Sequence, residues 1–233
     1  MTVATPYLVN IVAMGYTRQA VALGLTMAGL VSLAEGSTVI FVLWTFCAVL
    51  FHKSAVILMP IAALAAAKNR AWTFFWVGIV AFFSYRLFLE NDTSALYAGY
   101  VEAKYQSEGA GVRLAMNGVP AVMLLLWRKK FYFSDAEIRL WVCFSFLSLI
   151  LVGLFFISPS STAVDRIALY MLPLQLAIFS RLPDVFVAAG QSGQNVVAGI
   201  VLYYATVQIV WFNFAQTAFA WLPYRFYPLE VLH

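Results

Sequence analysis

Leu50-Phe51-His52-Lys53-Ser54-Ala55 interrupts two apolar runs, Ser37 to Phe51 and Ala55 to Ala67, neither of which carries a charge. An imidazole and an ammonium therefore stand where the chain is otherwise a solute for hydrocarbon. A Lys at the bilayer centre costs about 2.5–3.5 kcal/mol on insertion scales, so the pair must sit at a membrane edge, in a wet cavity or against an anion. The break reads as the rim of a polar site, with the other isolated Arg residues as further pieces of that rim.

The pattern around this break repeats outward in both directions. Of 233 residues 64% are hydrophobic and 10% charged, and apolar runs of spanning length recur throughout. This predicts an all-α, polytopic membrane helix bundle of about eight transmembrane helices, one domain over 1–233. No basic n-region precedes a short apolar segment and a cleavage site, so no removable signal peptide is expected and the first span directs insertion. The net charge of +4 comes from basic residues scattered between spans, which argues against a nucleic-acid partner. Cys47 and Cys143 fall in different spans without disulfide or metal spacing, and no P-loop, dinucleotide fingerprint or paired acidic metal motif is present, so no metal or other cofactor is expected.

In chain order, residues 1–14 are too short and too broken by Pro6 and Asn10 for a span, and read as the tail of a helix or a re-entrant segment. Helices are predicted from Gly15 to Ala34 and over 37–51, 54–67, 72–89, 113–127, 138–157, 166–180 and 185–214. A polar loop over about 90–112 and an aromatic tail over 215–233 complete the chain, and Arg181-Leu182-Pro183-Asp184 is expected to be a turn. Arg128-Lys129-Lys130, with Arg139 nearby, marks the cytoplasmic side. Alternation then places Lys68, Arg70 and Arg181 inside with them, and Arg18, Lys53, Arg86, Lys104, Arg113, Arg166 and Arg225 outside, dividing the 14 basic residues equally. Outer loops are ordinarily poor in Lys and Arg, so the outer set needs a retaining force. An anionic ligand supplies one, because guanidinium forks bind phosphate bidentately. The plainer alternative is that each cation snorkels separately to lipid headgroups.

Individual positions carry both readings. Arg18 follows Tyr16 and precedes Gln19; a first-turn Arg opposes the helix dipole unless helix end and Arg share an anion. The unperturbed pKa of His52, about 6.5, suits a general base, and Lys53 favours its neutral form, although a hydrogen-bonded helix cap is the structural alternative. Arg113 follows Gly109-Ala110-Gly111, which permits a sharp entry, with Asn117 one turn on along the same face and Pro120 perturbing the helix beyond. Glu102, Lys104, Tyr105 and Glu108 read as solvated loop residues. Arg166 and Tyr170 share a face at i and i+4, while Asp165 is either an N-cap or the acid of the site. Trp221-Leu222-Pro223-Tyr224-Arg225-Phe226 is an interfacial aromatic belt or a surface for stacking on sugars. Gly190-Gln191-Ser192-Gly193 matches a short pattern of intramembrane serine proteases, but no histidine on a following helix is available to activate Ser192, and small residues for helix packing explain it better.

Taken in order, Gly15-Tyr16-Thr17-Arg18-Gln19-Ala20, Phe51-His52-Lys53-Ser54-Ala55 with Pro60, Tyr105 through Gly111 to Arg113, and Asp165-Arg166 with Tyr170 resemble the blocks of the EpsG family, the Wzy-like polymerases of bacterial exopolysaccharide, capsule and O-antigen. The resemblance runs from about residue 15 to the Trp221-Leu222-Pro223-Tyr224 tail. It implies a GT-C-like bundle in the bacterial inner membrane with its active site facing the periplasm, so that the polar loop and the aromatic tail are periplasmic. It also implies a metal-independent glycosyltransferase that joins repeat units carried on undecaprenyl diphosphate, donor and acceptor both being lipid-linked, with membrane lipid and a chain-length regulator as further partners. The diphosphate and substrate would meet Arg18, Gln19, Lys53, Arg113, Arg166, Tyr170, Tyr224 and Arg225; His52 is the first choice for the base that takes the acceptor proton and Asp165 the second. Family members generally carry several spans ahead of the Arg-Gln block, where this chain has about 15 residues, so a chain lacking those spans is expected.

Two other functions use the same features. A lipid-linked glycan ligase or transferase shares the anion site and differs in acceptor. A flippase or transporter expects charges near the bilayer midplane and internal repeats, whereas here the charges sit at span ends and no repeat is found. A structural subunit would leave the outer Arg set without a role.

Overall fold

The computed structural model describes residues 2–60, 75, 78–79, 82–83, 106–107, 109–215 and 217–220, and every regular element among them is helical. Four single helices are long and apolar enough to cross a membrane: α1 (Thr17–Ala34), α3 (Ala110–Trp127), α4 (Asp135–Ile157) and α7 (Gly193–Phe214). A fifth span, Ser161–Ala188, is composed of α5 (Ser161–Ala168), a 3-10 turn at Leu169–Met171 and α6 (Leu172–Ala188). The shorter α2 (Thr38–Phe51) is also apolar. The chain is thus a multi-pass membrane helix bundle.

Local chemistry explains most boundaries. α1 and α2 are joined by a tight turn in which Gly36 takes the left-handed φ of 89°, and the two helices pack closely because Gly29 has no side chain. A Cβ there would meet Trp44 Cβ at 3.1 Å and the Phe41 ring at 3.3 Å, the small-residue contact that brings helices together in lipid. α3 starts after Gly109, whose φ of 71° makes the sharp entry, and continues through a buried Pro120. α4 starts three residues earlier than expected because Ser134 and Glu137 form a capping box, Glu137 N–H donating to Ser134 Oγ and Ser134 N–H to Glu137 Oε2. On α7 only Tyr204 is buried, and Leu202, Ile209 and Phe214, like Ile150, Phe156 and Ile157 of α4, are exposed. That is the habit of helices whose solvent is lipid.

Three expectations need correction. The chain does not turn at Arg181-Leu182-Pro183-Asp184; α6 runs through Pro183 to Ala188, as membrane helices can when neighbours satisfy the freed carbonyl. The stop is at Gly190, φ 77°, where Gln191 N–H donates to Phe186 O and Gly190 N–H to Val187 O. These two bonds form a Schellman cap, and Gly193 of the same segment makes the close helix contact expected of a small residue, since a Cβ there would meet Val187 Cγ2 at 2.7 Å and Pro183 O at 3.7 Å. Asp165 lies inside α5 and is not its N-cap, which is Ser160. Residues Thr5–Ala13 form a π-helix against α1 and α7, with Asn10 Nδ2 donating to Gln208 Oε1 at 3.3 Å. The helix expected over 54–67 opens as a 3-10 turn, Lys53–Ile57, and is helical over 58–60; residues 61–67, most of 72–89, most of the loop over 90–112 and the tail from 221 lie outside the described residues.

Candidate functional site

α1 begins, α2 ends, and α3 and α5 begin at one end of the bundle, and the polar residues of these four termini meet there. α5 presents the neighbours Asp165 and Arg166 to two different partners. Asp165, 2% exposed, takes a bidentate fork from Arg113, Nε to Oδ1 at 2.6 Å and Nη2 to Oδ2 at 2.7 Å. Ser107 Oγ donates to Oδ2 at 2.9 Å and accepts from Arg113 Nη2 at 2.6 Å, while Ser107 N–H donates to Ser161 Oγ at 2.8 Å. Every strong acceptor of this carboxylate is engaged, and the pair is closed against solvent, with the two side chains 11% and 3% exposed.

One turn along α3 on the same face, Asn117 Nδ2 donates to Ala168 O at 2.7 Å. Gln175 Nε2 then donates to Asn117 Oδ1 at 2.6 Å, and Tyr204 OH to Gln175 Oε1 at 2.7 Å. This neutral chain carries the hydrogen bonding from the site through the bundle to α7. Buried polar groups in a membrane must be satisfied inside the protein, and these are.

Arg166 is held without a carboxylate among the described residues. Its Nη1 donates to Gln19 Oε1 at 3.1 Å, Gln19 Nε2 returns a bond to Arg166 O at 2.7 Å, and the guanidinium lies 4.6 Å from the centre of the Tyr16 ring. An amide and an aromatic face fix the fork and leave its charge uncompensated among the described residues.

His52 stands at the break after α2, with backbone in the extended region at φ −150° and ψ 113°. Its Nδ1 is 2.6 Å from Ser54 Oγ and 3.3 Å from Tyr170 OH. Nε2 has no partner among the described residues. Partial burial, and after it the positive charge of Arg166, holds the imidazole below its ordinary 6.5, so it is neutral near pH 7.

Six of the residues singled out from the sequence are thereby brought together: Gln19, His52, Arg113, Asp165, Arg166 and Tyr170. Arg18 sits at the start of α1, exposed and without a partner among the described residues, and Lys53 is half-buried and already engaged in an interaction. Tyr224 and Arg225 lie outside the described residues. Ser54 and Ser107 were not anticipated, nor was the Gln175–Tyr204 link. The signal for Gln175 and Tyr204 is an amide and a hydroxyl inside apolar runs, which in lipid need a partner; Ser107, in the polar loop, carries no such signal. Tyr7, 3% exposed, ends in a hydroxyl with no hydrogen-bond partner. No group of three or more His, Cys, Asp or Glu among the described residues is placed to hold a metal ion.

Compared with known proteins, the chain matches the model of the EpsG family over residues 1–226. No curated protein and no solved structure matches it.

Proposed function

The chain belongs to the EpsG family, a polysaccharide-polymerase-like membrane protein, and from that membership we propose that it lengthens a bacterial glycan at the outer face of the cytoplasmic membrane. The donor is a glycan on undecaprenyl diphosphate and the acceptor a sugar hydroxyl on a second lipid-linked chain. In the transfer the anomeric C–O bond to the diphosphate breaks, its electron pair leaving with the lipid diphosphate, and the acceptor oxygen bonds to the anomeric carbon. The acceptor proton passes to His52 Nε2. This requires the tautomer in which Nδ1 carries the proton and donates to Ser54 Oγ.

Negative charge grows on the leaving diphosphate, so fixed cations lower the barrier. Arg166 is the principal one, with Gln19 holding its fork and Arg18 and Lys53 as further cations. Arg113 and Asp165 are positioning residues in this scheme. Their mutual neutralisation removes them from anion binding and base chemistry, and it locks α3 to α5 so that Arg166 and Tyr170 emerge at fixed points.

The observation that carries this reading is Arg166, which has no carboxylate partner among the described residues, beside a neutral imidazole whose Nε2 has no partner among them. A flippase is less well supported, because the polar chain through the described part of the bundle, Asn117–Gln175–Tyr204, is neutral and closed on itself. The test is complementation of a polymer-deficient strain, reading glycan length on gels, with Arg166→Gln and His52→Ala at matched membrane levels. Both variants are expected to leave single repeat units. Long polymer from either removes it from the site, and movement of a labelled lipid-linked unit without chain growth establishes the flippase instead.

A further inference from the structure

At the opposite end of the bundle, where α1 finishes and α4 starts, a cavity of about 430 Å³ opens between these two helices and the first half of α6. Its walls include Leu30, Val31, Leu140 and Leu176, and Arg181, Glu137 and Glu35 stand around it. The size falls within the range of ligand pockets, about 300–1,000 Å³. The charges are not evenly balanced. Arg181 is fixed along one edge: Nη1 donates to Tyr132 O at 2.6 Å, Nη2 to Glu137 Oε1 at 3.0 Å, and the guanidinium lies 4.4 Å from the centre of the Phe133 ring. Its side chain is nevertheless 39% exposed, leaving donors free. Glu137 is committed to Arg181 and to the Ser134 cap. Glu35, just past the end of α1, is exposed and has no side-chain partner among the described residues.

We propose that this cavity binds a glycerophospholipid with a primary ammonium headgroup. One acyl chain lies along the apolar wall, the phosphate meets the open edge of Arg181, and the ammonium meets Glu35. The charge pattern selects this occupant. An Arg whose charge Glu137 already offsets can still donate to a phosphate, and the spare carboxylate then calls for a cation within the same ligand. The three charged side chains that line the cavity, Glu35, Glu137 and Arg181, sum to one negative charge, so a headgroup that brings its own cation is matched to them where one of net negative charge is not. The cavity is lined by none of the residues placed in the glycan site, so its occupancy is independent of the polymerase reading.

Mass spectrometry of the intact detergent-purified chain, titrated in parallel with dioleoyl phosphatidylethanolamine and dioleoyl phosphatidylglycerol, tests the assignment. The ethanolamine lipid is expected to be retained several-fold better, Glu35→Gln to abolish that preference, and Ala177→Phe, which fills the cavity, to remove the preferred lipid. Equal retention, preference for the glycerol lipid, or a preference that survives Glu35→Gln overturns the proposal. Because Glu35 is exposed and unpaired, its variant decides between these outcomes even if the cavity-filling one fails to fold.

Discussion

Around Arg113 the chain supplies its own anion, whereas around Arg166 the described residues supply only an amide and an aromatic ring. The two arginines reach the same end of the bundle and touch adjacent positions of α5, yet one contacts Asp165 at 2.6 Å and the other Gln19 at 3.1 Å. A bidentate carboxylate takes up both the geometry and the charge of a guanidinium. A neutral partner takes up only geometry, and leaves the charge for something that comes from outside. The difference separates a cation that holds helices together from one that is held in readiness, and it has consequences that can be measured separately as stability and as turnover.

The largest expected effect is on stability. Asp165→Ala strands a guanidinium that is mostly buried, a change that costs about 3–5 kcal/mol in such pairs, so thermal unfolding in detergent should occur at a clearly lower temperature. The double change Arg113→Met with Asp165→Leu removes both charges and should recover most of the loss. An Asp165→Ala protein that melts with the wild type would erase the contrast between the two arginines. Next comes Arg166→Gln, with the opposite signature: chain-growth rate falling about 10²–10³-fold, the scale for loss of one preorganised transition-state donor, at an almost unchanged melting temperature. Arg166→Lys keeps the charge but loses the planar fork and the stacking on Tyr16, and should fall between them.

A smaller effect is expected below the site. Gln175→Leu leaves the Tyr204 hydroxyl and the Asn117 amide oxygen without their partner, which should destabilise the bundle by about 1–3 kcal/mol. Adding Tyr204→Phe should return part of that loss, since it removes one of the stranded groups. If the single variant is as stable as the wild type, the network is not what joins α7 to the site.

The sequence made the bundle legible because lipid solvation demands long uninterrupted apolar runs, and those are visible without any tertiary knowledge. It misplaced the turn after α6 because Pro183 is a strong stop in water and a weak one in lipid, where the decisive residue was Gly190. In the site, Arg113 and Asn117 were correctly seen to share a face, and the structure shows them meeting Asp165 and Ala168, one turn apart on α5. What could not be read was the choice of partner. Asp165 and Arg166 are neighbours, yet one pairs across 52 positions and the other across 147, and nothing local distinguishes them. A stricter rule would have helped: an acid and an arginine each placed in a membrane helix should be paired with each other before either is given to a ligand.

The finest test of the contrast is electrostatic. The uncompensated charge of Arg166 reaches His52 and, after burial, is the second cause that keeps its imidazole below 6.5; Arg113 is not among the causes. A lowered pKa means that the neutral form persists further into acid, so chain growth that needs an unprotonated Nε2 should hold through pH 6.5 and fail only below it. Arg166→Gln should move the titration of His52 upward, towards 6.5, while Arg113→Gln should leave it nearly in place. The chain has two histidines, so isotope labelling of histidine gives two ring signals by NMR, and His233→Gln assigns them; the measurement needs no turnover and survives the inactivity of the variant. Equal movement of the His52 signal in both arginine variants would mean that Asp165 does not neutralise Arg113 as seen from the imidazole, and the division of labour between the two guanidinium groups would fail at its physical root.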